Sequence, residues 1–386
     1  MSADNGTPKR WSRRRTVIVT GTVAAGVAAG ALGTAMALAG TPVAKAPAAS
    51  AASAASAGHA SKAVISRAAL TAISKTAGTD PSYYAYLAAA GGDEVVEVNV
   101  AAASIVGTVS ADTVEGVAAA PDGSEIYLAE TGQYYVLAVN PATKASKQIE
   151  VGPYPQDIAV SPSGKVVYAT VAGGDTGPGG SAIVAVIDPA TDTVTGDIKT
   201  GPAPRQVAFS PDGTTAYVTT ETGIDVIDVA TSTVTKVISD PAGPQGIAVS
   251  PDGTTLYVTN PDAGTLLKID AASGAITGVT KAGAEPQAVA VTPNGSTLYV
   301  ADMNSDSVDV LSAATLQGTG TISVGRLPMS VTVTPDGSQV WVGNGLSGSV
   351  SIISTATGQV VATVGGGPGT STLDAAITDI AFAPAP

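Results

Sequence analysis

The sequence predicts an all-β protein, a seven-bladed β-propeller with four antiparallel strands per blade. Three observations predict it. A turn of the form PDG, or a close variant, recurs with its proline at 121, 162, 211, 251, 293 and 335, at spacings of 41, 49, 40, 42 and 42 residues. A small apolar segment precedes each turn and an aromatic one follows it, as GIAVS and LYVTN do on either side of the turn at Pro251. The composition agrees, since 45 glycines, 25 prolines and only 13% charged residues disfavour long helices and favour strands buried on both faces.

The chain begins with a different pattern. Residues 9–15 read KRWSRRR, and no charge follows from Thr16 to Ala44. A basic head before an apolar run is what a secretory signal requires. Arg13 and Arg14, in SRRRTVI, resemble a twin-arginine pair. Ala37 and Ala39 put small residues at −3 and −1, which places cleavage after Ala39. Residues 1–39 are therefore read as a twin-arginine-like signal peptide, with an ordinary export signal and an uncleaved anchor as the alternatives. Residues 40–79 form an Ala/Ser-rich linker. The protein is expected to be exported, extracellular or at the cell surface, and to touch a membrane only if the signal segment stays uncleaved.

Composition also excludes chemistry. There is no cysteine and one histidine, His59, which lies in the linker. Disulfides, thiolate nucleophiles, Cys/His zinc sites and a Ser-His-Asp triad are excluded. The net charge of −13 opposes binding to a phosphate backbone, so nucleic acid is not an expected partner. No sequence motif marks a cofactor, and none is expected.

From residue 80 each unit of about 40 residues supplies four short strands. The first is small and apolar: GVAAA, DIAVS, QVAFS, GIAVS, AVAVT and SVTVT. In the turn that follows, proline fixes φ, aspartate caps and glycine takes φ > 0. The second strand carries an aromatic residue: Tyr127, Tyr168, Tyr217, Tyr257, Tyr299 and Trp341, with Tyr86 in register upstream. One aromatic per blade predicts packing between blades rather than ligand stacking. TLLKID and AITGVT exemplify the third and fourth strands. DMNSD, at 302–306, begins like a calcium loop but lacks its glycine and final glutamate, and is read as a hairpin turn.

The stretch GIAVSPDGTTLYVTN, with the later VID element, closely resembles the YVTN β-propeller repeat family, which includes YncE-like periplasmic and surface-layer proteins. The resemblance covers residues 80–386 and implies an exported propeller without implying a common site.

Counting strands predicts how the ring closes. Residues 83–110 supply the second to fourth strands of a blade that lacks its first. The C-terminal ITDIAFAPAP is a first strand lacking the rest, with Pro384 in the turn-proline column. Pairing Ile377–Phe382 with Ala85–Ala89 makes the seventh blade and leaves no open sheet edge.

In such a ring the first strands line the channel, and the PDG turns lie on one face. The opposite, top face carries the two inserts, at 172–180 and 365–376. The position entering each first strand then rings the channel mouth: Glu115, Gln156, Arg205, Gln245, Gln287, Met329 and Thr378, with Asp157, Gln206 and Asp379 in the next column. Tyr154, Glu285 and Arg326 are placed around them, with Glu130, Glu221, Asn260, Asp302 and Asn344 at the ends of second strands. The ligand-binding set read from sequence is thus Glu115, Tyr154, Gln156, Asp157, Arg205, Gln245, Gln287, Arg326 and Asp379, with no catalytic or metal residue assigned.

A polar funnel of mixed charge without an evident acid–base pair favours a non-catalytic, monomeric binding scaffold. Its expected partner is a cell-envelope protein, a glycan or a small polar ligand. Two alternatives stay open. One is a lactonase-like hydrolase, for which Glu115, Asp157 and Asp379 are the candidate acids. The other is a structural surface-layer or adhesive protein.

Overall fold

Among the described residues, short strands assemble into seven four-stranded antiparallel sheets. The computed structural model describes residues 83–92, 94–100, 104–173, 182–240, 242–365 and 376–385. Residues 1–39 and 40–79, read from sequence as a signal segment and a linker, and most of both inserts lie outside them. The chain divides into two compact units, 1–58 and 59–386, and every described residue belongs to the second.

Blade 1 is made from both ends of that unit. Its strands are Ala376–Pro384, Tyr83–Ala90, Glu94–Asn99 and Ser104–Ser110, in that spatial order. The expected closure is present: Ala85 lies opposite Phe382, Leu87 opposite Ile380 and Ala89 opposite Ile377, with a bulge between Ala88 and Ala89. The other six blades are consecutive in sequence. Their first strands are Val114–Ala119, Pro155–Val160, Val207–Phe209, Ile247–Val249, Pro286–Val291 and Pro328–Val333, for blades 2 to 7. In blade 5 these continue as Thr255–Asn260, Thr265–Asp270 and Ile276–Lys281. DMNSD is a hairpin turn, with Asp302 opposite Ser307 across the two strands that it joins.

The core is divided among the junctions between blades. Each of seven apolar clusters draws its residues from two neighbouring sheets, and each contains one aromatic of the predicted column. Tyr86, Tyr127, Tyr168 and Trp341 are fully buried. A ring of that size buried at a junction stabilises it by about 1.5–3 kcal/mol, so the column acts as a set of inter-blade wedges. Burial on both faces explains why the second strands are rich in apolar residues and buried along their length, as in Ile126–Glu130.

The turns form a second ring of contacts. A Cβ placed on Gly213, Gly253, Gly295 or Gly337 would lie 3.4–3.5 Å from the turn proline of the preceding blade. Gly123 likewise lies against Pro384 of the preceding blade, but more tightly and through the Pro384 carbonyl, which puts Pro384 in the proline column. Each turn is locked internally. Asp252, for example, accepts from the Ser250 hydroxyl at 2.5 Å and from the Thr254 amide at 3.0 Å.

Candidate functional site

All seven first strands converge on one axial cavity of about 280 Å³. It is lined by Glu115, Gln156, Asp157, Arg205, Gln245, Gln287 and Asp379 from the predicted set, together with Gln206, Met329 and Thr378. Each blade reaches the mouth because every first strand enters its sheet from the same face.

Within the mouth, Arg205 is the one cationic side chain of the lining, and its Nη1 donates to Gln245 Oε1 at 2.5 Å. That bond leaves the Gln245 amide NH2 for the cavity. Gln206 is arranged similarly, because its Oε1 accepts from the Ile247 amide at 2.7 Å. The two aspartates brace neighbouring blades. Val117 N donates to Asp379 Oδ2 at 2.9 Å, and Val207 N donates to Asp157 Oδ2 at 2.8 Å. Gly116 lies between these carboxyls in the column, and a Cβ there would come within 3.2 Å of Asp157 Oδ1. Glycine at this point lets the first strands of blades 2 and 3 approach closely.

Burial dominates the acidity of the mouth. Desolvation pushes the carboxyls of Asp157 and Asp379 up, and the charge of Asp379 adds to the rise at Asp157. Desolvation also raises Glu115. The backbone amides that these aspartates accept from act in the opposite direction and do not offset burial.

Three threonines that the sequence reading did not single out hold the mouth in place. Thr170 Oγ1 accepts from Asp157 N at 3.0 Å and donates to the Arg205 carbonyl at 2.7 Å. Thr219 links Gln206 N to the Gln245 carbonyl, at 3.0 and 2.8 Å. Thr259 links Gly246 N to the Gln287 carbonyl, at 2.8 and 3.0 Å. Each hydroxyl is a clamp that sets a mouth residue of the next blade. Their signal was the threonine that follows the aromatic by two positions in YVTT and YVTN, a polar residue inside an otherwise apolar strand.

Other placements differ from the sequence reading. Tyr154 and Arg326 are exposed on the top rim and do not line the cavity. Tyr154 has φ +59°, a left-handed turn immediately before Pro155. Arg326 is tied through its backbone to Ser347 and Leu346. Glu285 accepts from the Asn304 amide on the rim. Glu130, Asn260, Asp302 and Asn344 are buried, at 0–2% exposure, and are not funnel residues. A Cβ on Gly283 or Gly325 would collide with Asp302 or Asn344, so these side chains fill the space beneath the exit of the fourth strand. Glu221 is exposed and also lies outside the lining. Among the described residues no three His, Cys, Asp or Glu side chains are grouped to hold a metal ion. No helix of the described residues is long and apolar enough to cross a membrane.

A family model described as "Lactonase, 7-bladed beta-propeller" matches residues 188–319, about a third of the chain. The solved hydrazine synthase of Kuenenia stuttgartiensis is similar in fold, with a TM-score of 0.62 and 24% identity over 69% of this chain and 90% of that one. The chain is a seven-bladed β-propeller. No curated protein matches it.

Proposed function

We propose that the protein is an exported binding propeller of the YVTN-repeat type, holding a small polar ligand at the top-face mouth of its axial channel. One observation supports this above others: a single cavity gathers Arg205 and the amides of Gln156, Gln206, Gln245 and Gln287 from four different blades. Their backbones are clamped by Thr170, Thr219 and Thr259, so the groups are presented on rigid strands. Asp157 and Asp379 already accept backbone amides of the next blades, which assigns them to holding the ring together.

The test is mass spectrometry of small molecules released from the protein purified from its native envelope. Wild type should release a compound that an Arg205→Ala/Gln245→Ala/Gln287→Ala variant does not retain. Equal release from both removes the mouth from the binding site.

A lactonase-like hydrolase is the second reading, favoured by the family-model match and by the paired carboxyls across Gly116. In that case a raised aspartic acid would protonate the leaving oxygen while its partner activates water. Turnover across a lactone panel that disappears in Asp157→Asn would replace the binding reading with this one. No turnover at any pH from 5 to about 8, the range that perturbed carboxyls cover, would discard it.

A further inference from the structure

The exposed aromatic rings among the described residues are two tyrosines beside the mouth. Tyr134 is 61% and Tyr154 50% exposed, whereas the other rings are buried or half-buried. The Tyr134 carbonyl accepts from Val151 N at 2.9 Å and from Gly152 N at 3.1 Å. The chain therefore passes Tyr134 and reaches Tyr154 two residues later, a span of at most about 7 Å. Pro155 follows, and then Gln156 and Asp157, both of which line the cavity. Tyr134, Tyr154 and the mouth thus share the top face at the junction of blades 2 and 3.

Tyr154 also occupies a costly position. The residue that enters the first strand is left-handed in six blades: Thr113, Tyr154, Ala203, Gly243, Glu285 and Leu327 have φ between +47° and +67°. The architecture needs this turn, and glycine satisfies it most easily, as at Gly243. Blade 3 carries an exposed ring there instead.

The mouth supplies the complementary chemistry. A site for an anion needs donors, and a site for a cation needs acceptors. Here carboxamides dominate, and each amide both donates and accepts, as a hydroxyl group does. The guanidinium of Arg205 spends one of its N–H donors on Gln245 and keeps others for such hydroxyls. Saccharides combine hydroxyls at the ring edge with C–H groups on the ring face, and tyrosine offers such a face a flat apolar partner with a polar tip. The cavity, at about 280 Å³, is just below the range of about 300–1,000 Å³ usual for ligand pockets, which leaves room for one sugar ring with an adjoining ring toward the rim.

We propose that the mouth binds a neutral saccharide, with one ring among the amides of Gln156, Gln206, Gln245 and Gln287 and the adjoining ring stacked on Tyr154 beside Tyr134. This inference rests on the binding reading above and names its ligand class.

Calorimetric titration of the full chain with methyl glucoside, maltose, cellobiose and chitobiose tests it, with malonate and glycine as non-sugar controls. At least one disaccharide should bind. Tyr154→Ala should weaken that disaccharide by about tenfold, the value of one lost aromatic contact of roughly 1.4 kcal/mol, and leave methyl glucoside unchanged. Tyr154→Phe should bind like wild type, and Gln245→Ala should weaken both sugars. Disaccharide binding that ignores Tyr154→Ala overturns the stacking assignment. Binding of malonate or glycine without any sugar overturns the saccharide class and leaves the mouth as the site. If no solute binds and nothing co-purifies with the native protein, both the inference and the binding reading fall.

Discussion

Replacing Ile380 by alanine tests whether the C-terminal strand is an integral part of the ring. Ile380 is 4% exposed and packs with Leu87, Trp341 and Val350 at the junction of blades 1 and 7. A buried Ile→Ala change costs about 2–5 kcal/mol in transfer and cavity terms. Unfolding roughly 300 residues carries an entropy of about 0.6 kcal/mol per degree, from about 2.1 cal/mol/K per residue. The melting temperature should therefore fall by about 3–8 °C. The internal control is Ile247→Ala, because Ile247 holds the equivalent place in the uninterrupted blade 5 and is equally buried. Scanning calorimetry should give the two variants similar shifts. Deleting the strand altogether removes Ile377, Ile380 and Ala383 from the core, together with the edge-on contact of Phe382 with Trp341 at 5.5 Å. The loss is about 5–8 kcal/mol of apolar burial, comparable to the whole stability of a domain, so the truncated chain should lose cooperative melting. If Ile380→Ala melts within about 1 °C of wild type while Ile247→Ala does not, closure by this strand does not stabilise the disk and the reasoning fails.

Three further outcomes follow from individual contacts. Thr219→Val leaves Gln206 N and the Gln245 carbonyl without their shared hydroxyl, and should cost about 1–3 kcal/mol by thermal melting while weakening any ligand held by Gln245. Gly123→Ala should destabilise more than Gly253→Ala in chemical denaturation. Both strain a left-handed turn, but the new Cβ meets the Pro384 carbonyl oxygen at 2.5 Å in the first case and only Pro211 Cδ at 3.4 Å in the second. Asp302 has a pKa pushed up to about 7, first by burial and then by the charge of Asp309. The folded state thus holds this proton more tightly than the unfolded state does. Its contribution to stability is complete below about pH 4 and is lost as pH rises through 7. Asp302→Asn should therefore gain melting temperature relative to wild type at pH 8, with the difference shrinking toward pH 5, and a difference independent of pH would refute the assignment.

The mouth was largely legible in the repeat, because a propeller converts a column in the aligned sequence into a ring in space. Glu115, Gln156, Arg205, Gln245 and Gln287 could be placed at the channel from register alone. Tyr154 and Arg326 could not, since both precede the first strand in the loop and neither side chain reaches the cavity. The residues ending the second strands were misplaced for a related reason. Polar character suggested solvent, but the glycines that open space for Asp302 and Asn344 stand about 20 residues earlier in the chain.

By itself the sequence determined the blade count, the closure of Ala376–Pro384 against Tyr83–Ala90 and the wedge role of the aromatic column. All three follow from a period of about 40 residues and a two-residue strand alternation, which are local and repeated. Only the tertiary structure decided that Asp157 and Asp379 pair with backbone amides of the next blades and that three threonines clamp the mouth. It alone also left Tyr134 and Tyr154 exposed in neighbouring top-face loops. Those facts depend on which atoms meet across a blade junction, and a junction is a contact between repeats that no single repeat encodes.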